Sequence, residues 1–222
     1  MRVGRRRVSP SDDGETVRTR IVAAMVTIAA ERGYAETDID AIVTLANLKR
    51  VDFFRYFDDL ETCFYMYFEA HAQEFIELVS TAYQKHERWR DGIREAAYAV
   101  LDFALKDPER TKLMLVNVNI AGDRSQGLRD VTIEAVTELI FLGRYELEDP
   151  DAAPRAIASA LAGAIHEIMV SRVQADELYC APELIPDLLY MALRPYIGED
   201  GAREAMNRAA ASTAHPAVPS ST

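Results

Sequence analysis

One stretch constrains this chain more than any other: Tyr34–Phe64, YAETDIDAIVTLANLKRVDFFRYFDDLETCF. Ile39, Ile42, Val43 and Ala46 form an apolar stripe at helical spacing. Thr37 or Asp38 can cap that helix, because a short side-chain oxygen accepts from the unpaired N–H groups of the first turn. A turn is expected at Asn47-Leu48-Lys49, since Asn tolerates left-handed backbone better than any residue but Gly. Leu48 then buries in the angle between two helices, and Val51, Phe53, Phe54 and Phe57 carry the second. Helices joined by so short a turn cross steeply, as in a DNA-binding helix-turn-helix.

Helix 1 is expected over about residues 15–32, where Val17, Ile21, Ala24, Met25, Ile28 and Ala29 repeat at three and four and Gly33 ends the run. Lys49 and Arg50 sit where a recognition helix begins, the end whose residues face base edges. With Arg55 and Tyr56 they are the principal candidate DNA contacts; Phe54 can meet a thymine methyl or pack inward. Arg18 and Arg20 are cations that reach phosphate or simply face solvent. Residues 1–14 have little to bury and should be disordered. Their Arg5, Arg6 and Arg7 make either a solubilising tail or a basic arm that tracks DNA.

At these residues the sequence resembles the N-terminal domain of the tetracycline-repressor (TetR) family of transcription regulators. Gly33-Tyr34 matches the family's Gly-aromatic ending of the first helix, and Thr37-Asp38-Ile39-Asp40-Ala41-Ile42 its Thr-Ser/Thr-Val/Ile-x-x-Ile run. Ala46-Asn47-Leu48 stands where the family has Ala-Gly-Val, and Phe53–Glu61 matches its closing aromatic run. The match covers roughly residues 16–64. Asp38, in the family's Ser/Thr position, is carried as a further DNA candidate. Asp52, Phe54 and Leu60 depart from a hydroxyl residue, a Tyr and a Lys that hold DNA phosphates in the family. From Glu36 to Glu61 there are three bases (Lys49, Arg50, Arg55) against seven acids, a balance of −4. Phosphate neutralisation supplies much of the affinity of DNA-binding proteins, so such a unit needs charge from elsewhere.

The remaining chain reads as helices: about Leu60–Tyr83, 92–105, one opened by Pro108, Leu128–Glu146, 153–176 and 182–197, with GDRSQG (122–127) as a loop. Candidate pocket residues are Phe68, His71, Met114, Asn117, His166 and Met169, polar or adaptable groups among apolar ones; ordinary core packing is the competing reading of each. The helices over 153–176 and 182–197 are apolar on more than one face, which suggests a two-fold dimer contact. In TetR-like proteins these last two helices form the dimer interface. Residues 199–222 are low in large apolar side chains, so one frayed helical stretch and then disorder are expected.

The expected organisation is therefore all-α, with about nine helices. It comprises an arm (1–14), a three-helix DNA-binding domain (15–60), a ligand-binding and dimerisation domain (61–198) and a tail (199–222). A net charge of −11 argues against a whole surface that grips nucleic acid, but not against a local basic patch. Cys63 and Cys180 have neither disulfide-framework nor metal spacing and read as reduced thiols of a cytoplasmic protein. No membrane span, secretory signal, cofactor motif or nucleophile–base spacing is found. The resemblance implies a homodimeric, ligand-responsive regulator of double-stranded DNA, by default a repressor, with an unknown small-molecule effector. The rival reading is a helical ligand-binding or interaction module that has lost specific DNA binding.

Overall fold

A computed structural model describes residues 10–119 and 121–213 of the chain. Nine α-helices and no strand occur among them: α1 Pro10–Arg32, α2 Ile39–Leu45, α3 Arg50–Phe53, α4 Leu60–Gln84, α5 Trp89–Lys106, α6 Pro108–Leu115, α7 Asp123–Phe141, α8 Arg155–Gln174 and α9 Ala181–Thr213. Short 3-10 turns fill several connections, including Asn117–Asn119 after α6.

Two apolar cores organise these helices. The first gathers Ile21, Met25 and Ile28 of α1, Ile42 and Val43 of α2, Phe53 of α3, Phe57, and Phe64 and Phe68 of α4. The four phenylalanines are at most 2% exposed. Burying each contributes about 1.5–3 kcal/mol, enough to hold the short α2 and α3, which could not stand alone. Leu113, Val118 and Ala121, from α6 and the turn after it, complete this core. The second core lies among α5, α7, α8 and α9, around Trp89, Leu101, Ile140, Leu189, Leu193 and Tyr196. Trp89 is fixed on both sides: its indole N–H donates to the Leu139 carbonyl at 2.8 Å, and its ring meets Tyr196 edge-on at 5.2 Å.

Several boundaries differ from the sequence reading, each for a local reason. Helix α1 begins at Pro10, where proline's missing N–H costs nothing, rather than near residue 15. Most of the expected GDRSQG loop is helix, because Gly122 at φ 99 serves as N-cap and α7 starts at Asp123. Helix α7 also stops at Phe141, giving way to a 3-10 stretch over Leu142–Glu146. The alternating segment after Pro108 is helical only to Leu115 before the 3-10 turn. Helix α9 breaks at Gly198 (φ 73) and then continues to Thr213. That second part is packed rather than frayed: Ala202 and Ala209 are fully buried, and the Tyr98 hydroxyl donates to the Ala209 carbonyl at 3.4 Å. Small side chains let it lie close against the body, a signal that a search for large apolar residues misses.

Candidate functional site

The helix-turn-helix is built from short-range hydrogen bonds. The Asp38 carboxylate accepts from the Ala41 N–H at 2.8 Å and so caps α2. Asn47 takes φ 52, and the Leu48 N–H returns to the Val43 carbonyl at 2.8 Å, which closes the turn. The Arg20 guanidinium donates to the carbonyls of Ala46 and Asn47, so it ties α1 to the turn instead of standing free for phosphate. The Lys49 N–H donates to the Asp52 carboxylate at 3.0 Å across the start of α3. Asp52 is thus an N-terminal capping group, its negative charge favourably placed at the start of α3. A bond from the Phe57 N–H to the Phe53 carbonyl carries the helical turn beyond the end of α3.

Among the described DNA candidates, acids hold two arginines. Arg50 pairs with Asp40 at 2.6 Å, and Arg55 with Asp52 at 3.3 Å. Lys49 is exposed and has no ion-pair partner among the described residues. Exposed pairs of this kind contribute about 0–1 kcal/mol, whereas a bidentate arginine–guanine contact is worth about 1–3 kcal/mol. Releasing Arg50 from Asp40 and Arg55 from Asp52 is therefore a modest cost. Phe54 is 47% exposed, with Arg50 lying 5.6 Å over its ring, and Val51 and Leu45 are 57% and 54% exposed. Tyr56 is half-buried against the first core, and Phe53 and Phe57 belong to that core. Arg5, Arg6 and Arg7 lie outside the described residues.

The second candidate site is a cavity of about 210 Å³ inside the larger domain. Its wall is apolar: Phe75 and Val79 of α4, the inward stripe of α5 from Ile93 to Ala104, Ile133 and Val136 of α7, and Ile185 and Leu188 of α9. Thr111, Arg129, Thr132 and His166 are the polar members. Burial, and secondarily the charge of Arg129, hold the His166 imidazole below its ordinary pKa, so it is neutral near pH 7.

Of the six residues proposed from sequence for a pocket, Met114, His166 and Met169 line this cavity. The other three are placed elsewhere. Phe68 is fully buried in the first core. His71 is held by the Glu74 carboxylate at 2.9 Å and by the Tyr67 ring at 4.4 Å. Asn117 is buried in the 3-10 turn and does not line the cavity. Sequence reasoning passed over Arg129 and Thr132. With α7 begun at Asp123, positions 129, 132, 133 and 136 fall on one face at helical spacing, which was the available signal.

The two sites share a wall. Met114, Val118 and Leu128 line the cavity and also belong to, or pack against, the core of the helix-turn-helix. A second link lies at the start of α7. A side chain at Gly122 would meet the Glu61 carboxylate at 2.5 Å, and the Arg124 guanidinium lies 4.0 Å over the Tyr65 ring. Both Glu61 and Tyr65 belong to the first turns of α4, directly after the recognition unit.

Burial pushes the Cys63 thiol up to about 12. No group of three or more His, Cys, Asp or Glu able to hold a metal occurs among the described residues. Helix α8 alone among the described helices is long and apolar enough to cross a membrane, a test that helices within folded domains also pass.

No protein-family model matches the sequence, and no curated protein does either. Solved structures match the fold. The transcriptional regulator FadR from Bacillus subtilis, in complex with stearoyl-CoA, superimposes with a TM-score of 0.69 at 16% identity over 79% of this chain and 97% of its own. The fatty acid degradation regulator FadR from Bacillus halodurans gives 0.68 at 14% identity over the same shares. A TetR-like transcriptional regulator from Rhodococcus sp. RHA1 gives 0.61 at 22% identity over 86% of this chain and all of its own. At these identities the likeness concerns architecture, and it extends well beyond the 16–64 stretch where the sequence resemblance lies: from the helix-turn-helix through the cavity-bearing helices, this chain has the fold of the TetR-family transcriptional regulators.

Proposed function

We propose that the protein is a homodimeric, ligand-responsive DNA-binding transcription regulator, acting by default as a repressor. The observation that carries this reading is the shared wall: Met114, Val118 and Leu128 face an internal cavity on one side and the helix-turn-helix core on the other. A molecule filling the cavity changes the packing that sets the position of α1–α3. If it fits one arrangement better than another, it shifts the population by that difference in affinity.

Lys49, Arg50 and Arg55 are the proposed base and phosphate contacts, with Phe54 and Tyr56 beside them. Arg5, Arg6 and Arg7 are proposed to supply, as an arm, the positive charge that the −4 recognition unit lacks. The dimer is proposed to form through α8 and α9. Only 28% of the most apolar window of α8 is buried within a single chain, although its composition is that of a core helix. Two recognition helices related by a two-fold axis call for a near-palindromic site whose half-sites lie about one helical turn apart. The Bacillus subtilis neighbour solved with stearoyl-CoA supports an effector with an apolar chain.

Purified protein should enrich one motif with two inverted half-sites from sheared genomic DNA. Enrichment without any shared motif would remove the regulator reading. A specific observation favours the alternative: both recognition arginines are neutralised by neighbouring acids. That alternative is a helical ligand-binding module in which the helix-turn-helix survives as a fold element.

A further inference from the structure

Arg129 differs from every other polar group around the cavity. It sits on α7 at the cavity wall, its Nε is buried, and that atom has no hydrogen-bond partner. Arg110 and Arg144 also carry an unpartnered Nε, yet other contacts place their guanidinium groups. Arg110 reaches Glu74 at 3.5 Å and lies over Phe103, and Arg144 donates to the Tyr145 hydroxyl at 2.6 Å. Arg129 has no carboxylate within ion-pair distance among the described residues. A guanidinium set in an apolar wall is unfavourable unless an anion or acceptor meets it. Across from it, on α8, His166 is close enough for the Arg129 charge to act on it. Thr132 lies one turn along α7 on the same lined face.

We propose that the cavity takes a small amphiphile with an apolar body and a single carboxylate, and that Arg129 pairs with that carboxylate. The proposal rests on the reading of the cavity as an effector site and adds the chemical class of the effector. Arg129 presents two parallel N–H donors to a carboxylate, the geometry in which arginine binds anions best. Neutral His166 has an N–H to give the same group and brings no competing negative charge, whereas the Thr132 hydroxyl already donates to the Arg129 carbonyl at 2.7 Å. The rest of the wall, from Phe75, Val100, Ile133 and Leu188, rewards only hydrocarbon. At about 210 Å³ the space exceeds the roughly 150 Å³ that benzene fills elsewhere, so a body on the order of eight carbons suits it. Each methylene buried there raises affinity about fourfold.

The test is calorimetric titration of the full chain with octanoate, octan-1-ol, octylamine and octanoyl-CoA. Octanoate should bind at least tenfold more tightly than octanol, and octylamine more weakly than either. R129Q should lose at least tenfold in octanoate affinity and keep its octanol affinity, while R129K should fall between. Equal binding of octanoate and octanol by the native chain would overturn the Arg129 assignment and leave the apolar effector site standing. Tighter binding of octanoyl-CoA that R129Q does not weaken would also overturn it, pointing to a thioester instead of a free acid. Failure of all four probes would count against the effector site itself. If R129Q does not fold, the octanoate–octylamine contrast in the native chain decides: no preference for the anion refutes the proposal.

Discussion

Asn47 shows how much one side chain settles. The turn between α2 and α3 needs a residue at φ 52, which a β-carbon opposes by about 1–2 kcal/mol except where a short polar side chain offsets it. Asn47→Ala should therefore lower unfolding free energy by about 1 kcal/mol, and Asn47→Gly should leave it nearly unchanged. Urea titration of the two variants checks this; equal losses would mean that the Asn side chain, not the backbone angle, holds the turn. His166 gives a second case. Burial lowers its pKa below the ordinary 6.5, so the unfolded chain takes up a proton that the folded chain resists. Its contribution is fully present above about pH 6.5, the unfolded value, and is lost as the pH falls from there through the lower folded pKa. The urea midpoint of the native protein should drop more steeply between about pH 7.5 and about pH 5 than that of His166→Gln. Parallel curves would place the imidazole in water.

Among the elements, α7 decides how the two cores meet. Its start is fixed by Gly122, which combines a left-handed φ of 99 with close approach to Glu61. Gly122→Ala should destabilise the chain by more than about 1 kcal/mol, and adding Glu61→Ala should recover only the part due to the clash. Full recovery in the double variant would show that backbone strain contributes nothing. The same helix shows what was legible in the sequence. Periodicity located the body of α7, but the Gly-Asp-Arg-Ser-Gln-Gly composition reads as a loop. The start was thus set five residues late, and Arg129 fell at an apparent helix end instead of on the cavity face. The helix-turn-helix was legible nearly residue by residue, because Asp38, Asn47 and the phenylalanines act through local geometry that spacing encodes. The cavity was not, since its wall is drawn from α4, α5, α6, α7, α8 and α9, and no short window of sequence contains it. Phe68 and His71 show the converse: polar or bulky residues on an apolar stripe, satisfied by Tyr67, Glu74 and the first core.

For the whole molecule, the proposed dimer contact rests on the side of α8 that a single chain leaves uncovered. Ala160, Ala164 and Ile168 recur every fourth residue and are exposed or half-buried, and a β-carbon on Gly163 would meet nothing within 4 Å. Small residues with one larger apolar group suit close helix–helix contact across a two-fold axis. The native protein should sediment as a dimer and Ala164→Arg/Ile168→Glu as a folded monomer; a dimeric double variant would move the interface elsewhere. Such a monomer should also lose operator affinity, because each half-site alone offers only half of the phosphate contacts.

The central claim, that an acidic chain reads DNA through α3, is tested most directly by fluorescence anisotropy on a duplex bearing the enriched motif. The native protein, Asp40→Asn and Arg50→Ala would be compared with a scrambled duplex across a salt series. Arg50→Ala should lose about 1–3 kcal/mol on the motif. Asp40→Asn, which frees Arg50 from its 2.6 Å partner, should bind about two- to fivefold more tightly, with affinity falling as salt rises. Equal affinity for motif and scrambled duplex, unmoved by either substitution, would contradict the account and leave a ligand-binding protein with a vestigial helix-turn-helix.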